Sequence, residues 1–332
     1  MEPVLILLLL TVVFSYVYAF FGGFTDAANS IATAIGSRSL SPRTAVLMAA
    51  LLEIAGAMTG TAVALTIGTG IVSISEVPLS TVLAALFATM SWSAITYYFG
   101  IPVSETHGLV GGIVGAALAT AGSGVILWFG LAIILFGIIA APMVGFFWGF
   151  VLMKIVHLLS HHRNAQKMNS LFKKLQVFSA AFMAFSHGRN DAQKPMGILI
   201  MALAIYYGWQ NPSVPVWVII SMGIVAGAGI AYGGWRIMKT LGMRITKLGV
   251  EQGFAAETSA GIAMQTASAF GVPVSTTQTI TSSIFGAGVA KRFSSVKWGL
   301  AIEIAISWVL TLPVTIAFGW VFASILGLFF PM

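Results

Sequence analysis

The stretch Gly100-Ile101-Pro102-Val103-Ser104-Glu105-Thr106-His107 returns 171 residues later as Gly271-Val272-Pro273-Val274-Ser275-Thr276-Thr277-Gln278. Each copy follows an apolar run and precedes a shorter one rich in glycine or serine, 108–121 and 279–290. Proline ends the first helix of such a pair, and serine or threonine is a preferred N-cap for the second. Runs too short to cross a bilayer, entered through a turn of this kind, read as re-entrant helical hairpins. Non-helical backbone at membrane depth must line a cavity, because lipid cannot satisfy its polar groups.

Two more landmarks repeat in the same order. Forty residues after Pro102 and Pro273 come Pro142 and Pro313, each read as the end of an apolar helix that begins near Trp128 or Trp298. Earlier in each half, Gly23-Phe24-Thr25-Asp26-Ala27 matches Gly188-Arg189-Asn190-Asp191-Ala192 at an offset of 165. The chain is therefore an internal duplication: a first transmembrane repeat over 1–153, a basic linker over 154–175 and a second repeat over 176–332. Duplication with interrupted apolar segments is the pattern of a secondary transporter, whose site lies between the repeats. Inverted repeats are the preferred arrangement; spacing alone leaves parallel ones open.

Composition agrees with a polytopic, all-α membrane protein. Of 332 residues, 58% are hydrophobic and 8% charged, and the mean hydropathy is +0.97. A soluble domain carries about 25% charged residues. Sixteen basic and nine acidic side chains cannot cover a 35.0 kDa globule in water. A soluble enzyme, a disordered chain and a nucleic-acid binder are all excluded, despite a net charge of +7. Cysteine is absent, so there is neither a disulfide nor a thiolate metal site. The run from Val4 to Phe21 lacks the basic flank of a signal peptide and reads as a retained first span. Lys154 to Lys174 holds five lysines and arginines and no acid, which makes this linker cytoplasmic by the positive-inside rule. Gly56/Gly60, Gly108/Gly112, Gly111/Gly115, Gly145/Gly149 and Gly223/Gly227 read as close helix contacts.

Two constellations carry chemistry. The hairpin tips present free backbone N–H groups and the hydroxyls or amide of Ser104, Thr106, Ser275, Thr276, Thr277 and Gln278. Such tips bind a tetrahedral oxyanion without a fixed cation; the plain alternative is helix capping. The second constellation is Thr25, Asp26 and Asn29 with Asn190 and Asp191. Hard oxygen donors at glycine-preceded helix breaks suit an alkali cation, and a carboxylate at membrane depth is a functional candidate by default. Glu105 and His107 are additional candidates, Glu105 facing a cation or carrying a proton. Lys194 falls where the first half has Asn29. It neutralises Asp191, contacts the anion, stands in place of a cation, or snorkels to the interface. Glu53 and Glu303 also interrupt apolar runs, with no matched partner.

These residues resemble the inorganic phosphate transporter (PiT) family. His187-Gly188-Arg189-Asn190-Asp191-Ala192-Gln193-Lys194, Gly23-Phe24-Thr25-Asp26-Ala27-Ala28-Asn29-Ser30 and the two Pro-Val-Ser turns carry the likeness, which covers nearly the whole chain. Phe24-Thr25 departs from the family's Gly-Ala-Asn-Asp pattern. The resemblance implies inverted repeats, phosphate as the oxyanion, sodium or protons as coupling ion, no other cofactor, a homodimer in the cell (inner) membrane, and both termini outside the cytoplasm. Moving one negative charge inward against 100 mV costs about 2.3 kcal/mol. That favours sodium symport, with two matched aspartates offering two sodium sites. A proton-coupled phosphate or sulfate permease is the alternative. An anion channel is more remote, as is an intramembrane hydrolase built on Ser104 and His107.

Overall fold

The computed structural model describes residues 3–330. The helices run in the order α1 (Pro3–Gly36), α2 (Pro42–Ala57), α3 (Ala62–Thr69), α4 (Leu79–Phe99), α5 (Glu105–Thr120), α6 (Trp128–Ser160), α7 (Ala165–Asp191), α8 (Gln193–Tyr207), α9 (Val216–Tyr232), α10 (Trp235–Lys239), α11 (Val250–Ala269), α12 (Thr276–Lys291) and α13 (Trp298–Phe329). The second half repeats the first element by element. Unbroken α1 answers to α7 with α8, and α4, α5 and α6 answer to α11, α12 and α13. The pair α2–α3, bent by 70°, answers to α9 and its continuation through Arg244, bent by 58°. The outer surface is apolar, with Phe129, Phe136, Ile139, Val309 and Leu328 exposed, while polar side chains gather inside. That inside-out distribution is the one lipid demands.

Local sequence explains both hairpins. Gly100 and Gly271 end α4 and α11 at φ +69° and +67°, a left-handed conformation that side chains disfavour. Pro102 and Pro273 keep the chain extended, and Ser104 and Ser275 then cap α5 and α12. The two hairpins open on opposite faces. Thr81, early in α4, hydrogen-bonds Thr120 at the end of α5 at 2.8 Å, so the first hairpin enters and leaves together, beside the Val72–Ile126 bridge. From that face α6 runs 33 residues, about 50 Å at 1.5 Å per residue. It ends where Val156 packs on Phe172 and Val250, at the start of α11. The repeats are thus inverted.

The halves also exchange arms. Hairpin helix α5 lies along α13, and α12 lies along α6. A Cβ on Gly115 of α5 would stand 2.0 Å from the Ile316 carbonyl oxygen, and one on Gly286 of α12 would stand 2.1 Å from that of Phe146. Small residues there let the backbones touch.

The structure corrects two expectations. Pro142 and Pro313 lie inside α6 and α13 and end neither helix; transmembrane helices tolerate an internal proline because neighbouring groups can re-satisfy the freed backbone. Asp26 is not at a break, since α1 continues through it. Its preceding Gly23 serves close packing, a Cβ there meeting the Ala226 carbonyl oxygen at 2.1 Å. Only the second half is interrupted, at Ala192 between α7 and α8. Pro195 explains the difference: it has no N–H for the carbonyl of Asp191, four residues back, and its ring crowds that carbonyl. The first half has Ser30 at the matching position. The stretch 154–175 is helical at both ends and turns at 161–164.

Candidate functional site

Helix α1, the α7–α8 junction and the two hairpin tips converge at the centre of the molecule. The tips touch directly: Thr106 Oγ1 donates to the Val274 carbonyl at 2.9 Å. Ser104 Oγ accepts from the His107 N–H at 3.1 Å and Ser275 Oγ from the Gln278 N–H at 3.2 Å. Both serines therefore act as N-caps, and each hydroxyl keeps its proton to give. Thr276 and Thr277 reach across to the aspartates. Thr276 Oγ1 donates to Asp191 Oδ2 at 2.8 Å, and Thr277 Oγ1 donates to Asp26 Oδ1 at 3.3 Å. Asn29 Nδ2 donates to Thr277 Oγ1 at 2.9 Å, and its own Oδ1 is buried without a partner.

The oxyanion-binding and cation-binding candidates are thus one cluster, joined through two threonine hydroxyls. Thr25 belongs to it through Glu105, donating to Oε1 at 3.1 Å; Glu105 Oε2 has no partner. Lys194 is buried, with Nζ 2.7 Å from Asp191 Oδ1. Asn190 does not join the cluster: its Nδ2 donates to Ser268 Oγ in α11 at 2.9 Å. Gln278 and His107 are buried at their tips, with Gln278 Oε1 and His107 Nδ1 unpartnered.

The sequence reading quoted His187 in its motif but gave it no role. Its Nδ1 lies 2.8 Å from Glu53 Oε2, and its Nε2 lies 3.2 Å from Asp191 Oδ2. Glu53 is therefore part of the site, whereas Glu303, its companion in the sequence reading, is exposed. A histidine four residues before Asp191 on one helix face was the available signal. Glu257 was also missed. It is buried apart from this cluster, accepting from Thr33 and Ser179 at 2.5 Å each and from Gln176 at 3.3 Å. No repeat partner marks it in the sequence.

The electrostatic balance is one-sided. Asp26, Glu53, Glu105 and Asp191 face one ammonium, Lys194, and one imidazole, His187, around a cavity of about 20 Å³. A space of that size holds about one water. Asp26, His187 and Asp191 offer ligand atoms all within 4.8 Å of one another. Buried negative charge in excess of its fixed partners demands cations or protons.

The profile of the phosphate transporter family matches residues 22–319. The chain belongs to that family. Probable low-affinity inorganic phosphate transporters resemble it along most of their length. The one from Bacillus subtilis (strain 168) is 39% identical over 99% of this chain and 100% of its own. That from Rhizobium meliloti (strain 1021) is 43% identical over 89% of each. Among solved structures, one described as the sodium-dependent phosphate transporter superposes with a TM-score of 0.90 at 26% identity, covering 97% of this chain and 99% of that one. The family is made of multi-pass membrane transporters, so the chain is a transporter and not an enzyme. The hydrolase reading of Ser104 and His107 falls.

Proposed function

We propose that this protein imports inorganic phosphate across the cell membrane by alternating access, coupled to sodium. One observation carries the reading: Thr276 and Thr277, at an anion-binding helix start, give their hydroxyl protons to Asp191 and Asp26. A cation on the aspartate side competes for that carboxylate and releases a hydroxyl to the anion. Each ligand then favours the other, and by linkage the coupling is reciprocal. The structural likeness to a sodium-dependent phosphate transporter supports sodium as the ion. A second reading, proton coupling, is favoured by the His187 ring set between Glu53 and Asp191.

The orientation follows from charge. The links 70–78, 121–127 and 208–215, on the face where the first hairpin opens, hold one charged residue, Glu76. The opposite face holds Arg38, Arg43, Arg163, Lys167, Lys247 and Lys297 among others. Positive charge marks the cytoplasmic side, which puts 154–175 inside and the far ends of α1 and α13 outside. A homodimer belongs to the same proposal, on the family resemblance.

The test is uptake of radiolabelled phosphate by proteoliposomes under imposed sodium, potassium or proton gradients, with sulfate as competitor. Sodium-driven accumulation that sulfate does not block is expected. Accumulation driven by protons alone installs the second reading, and equilibration without accumulation rules out coupling to either ion.

A further inference from the structure

The two aspartates stand in matched positions, yet their surroundings are opposite. Lys194 is 2% exposed and its Nζ lies 2.7 Å from Asp191 Oδ1, so it does not snorkel. The other oxygen, Oδ2, is met by Thr276 Oγ1 at 2.8 Å and by His187 Nε2 at 3.2 Å. Both oxygens of Asp191 are engaged, and an added cation would meet the ammonium at close range, where like charges repel strongly in a poorly screened interior. In the first half the matching residue is Asn29, a neutral amide. Among the described residues no Lys, Arg or His nitrogen lies within 4.0 Å of Asp26. Asp26 has a single hydroxyl donor, Thr277, at 3.3 Å, and Asn29, which shares that threonine, keeps a buried oxygen free.

We propose that Lys194 is a tethered substitute for a second coupling cation, so that one free cation, bound at Asp26 and Asn29, travels with each phosphate. The inference rests on the cation-coupled reading above and deepens it. A compact ammonium on a four-carbon stem fills the place of an alkali ion beside a carboxylate, but it is covalently held and never leaves with the cargo. The pairing of Asp191 is therefore permanent, and the first half alone loads and unloads. One mobile cation balances a singly charged phosphate, so uptake of that form moves no net charge.

The experiment counts cations. Net flux of labelled phosphate in proteoliposomes is nulled against combined sodium, proton and potassium–valinomycin gradients; the null condition gives the number of cations per phosphate, whichever ion they are. The unaltered protein is expected to give one, with a sodium dependence of first order and no response to membrane potential at acidic pH. Lys194→Asn, which restores the first-half residue, is expected to raise the count to two and the dependence to second order. Lys194→Arg, keeping a fixed charge, holds the count at one whatever happens to the rate. A count of two in the unaltered protein overturns the proposal without any variant, and so does a count that Lys194→Asn leaves unchanged. A flux indifferent to both sodium and proton gradients sinks the coupled reading itself, and this proposal with it.

Discussion

Pro195 stands four residues after Asp191 and cannot give that carbonyl the N–H that would continue the helix. The interruption at Ala192 brings Asp191, Lys194 and the tip of α12 together at one level. An interior proline costs a helix about 3 kcal/mol. Pro195→Ala is therefore expected to raise thermal stability in detergent while slowing phosphate uptake, the usual exchange of function for stability. A variant that is no more stable and transports at the original rate would show that the break does not depend on the proline.

The two aspartates are expected to separate in their stability effects. Removing one partner from a buried ion pair leaves the other uncompensated, at about 3–5 kcal/mol. Asp191→Asn strands the buried ammonium of Lys194, while His187 keeps Glu53, and should lower the melting temperature markedly. Asp26→Asn removes a carboxylate that has no cationic partner and should leave the melting temperature level or higher, while cations no longer strengthen phosphate binding. Equal destabilisation by the two changes, read by thermal unfolding in detergent, contradicts the asymmetry.

Thr276→Val and Thr277→Val remove the hydroxyls that join the α12 tip to Asp191 and Asp26 at nearly constant volume. A hydrogen bond to a charged group is worth roughly 1.5–3 kcal/mol, so each variant should weaken phosphate affinity about ten- to hundredfold. The sodium concentration for half-maximal uptake should shift with Thr277→Val, whose hydroxyl meets Asp26, and hold with Thr276→Val, whose partner Asp191 is already paired with Lys194. Concentration series in both ligands check this; unchanged affinity for both returns the tip to a helix cap.

Neighbouring glycines in α1 give a built-in control. A Cβ on Gly23 would meet the Ala226 carbonyl oxygen at 2.1 Å, whereas one on Gly22 finds nothing within 4 Å. Gly23→Ala is expected to force α1 and α9 apart and lower both stability and uptake. Gly22→Ala should assemble and melt like the parent, and the pair of melting temperatures decides.

The hairpins and the duplication were legible in the sequence because their causes are local: a left-handed glycine, a proline and a capping serine recur in register. The ends of α6 and α13 were misread for the converse reason. Pro142 and Pro313 carry a breaking signal that the membrane environment overrides. Asp26 was misplaced because a glycine pair looks the same whether it serves a break or a close contact, and only the position of Ala226 decides between them. The joining of Glu53 to His187, 134 residues away, had no signature beyond an acid in an apolar run. The separate cluster around Glu257 had only the same weak signature.

The exchange of arms between halves has a consequence for how the protein is made. Hairpin helix α5 rests on α13, which leaves the ribosome roughly 180 residues later, on the order of 10–40 s at ordinary rates of synthesis. Through that interval Gly111 and Gly115 of α5 lack the side chains and backbone they are shaped to receive. Insertion machinery must shelter a half-built hairpin until the last helix arrives. Assembly of this transporter is therefore completed by its final segment, and a chain cut short before α13 leaves the first half without its seat.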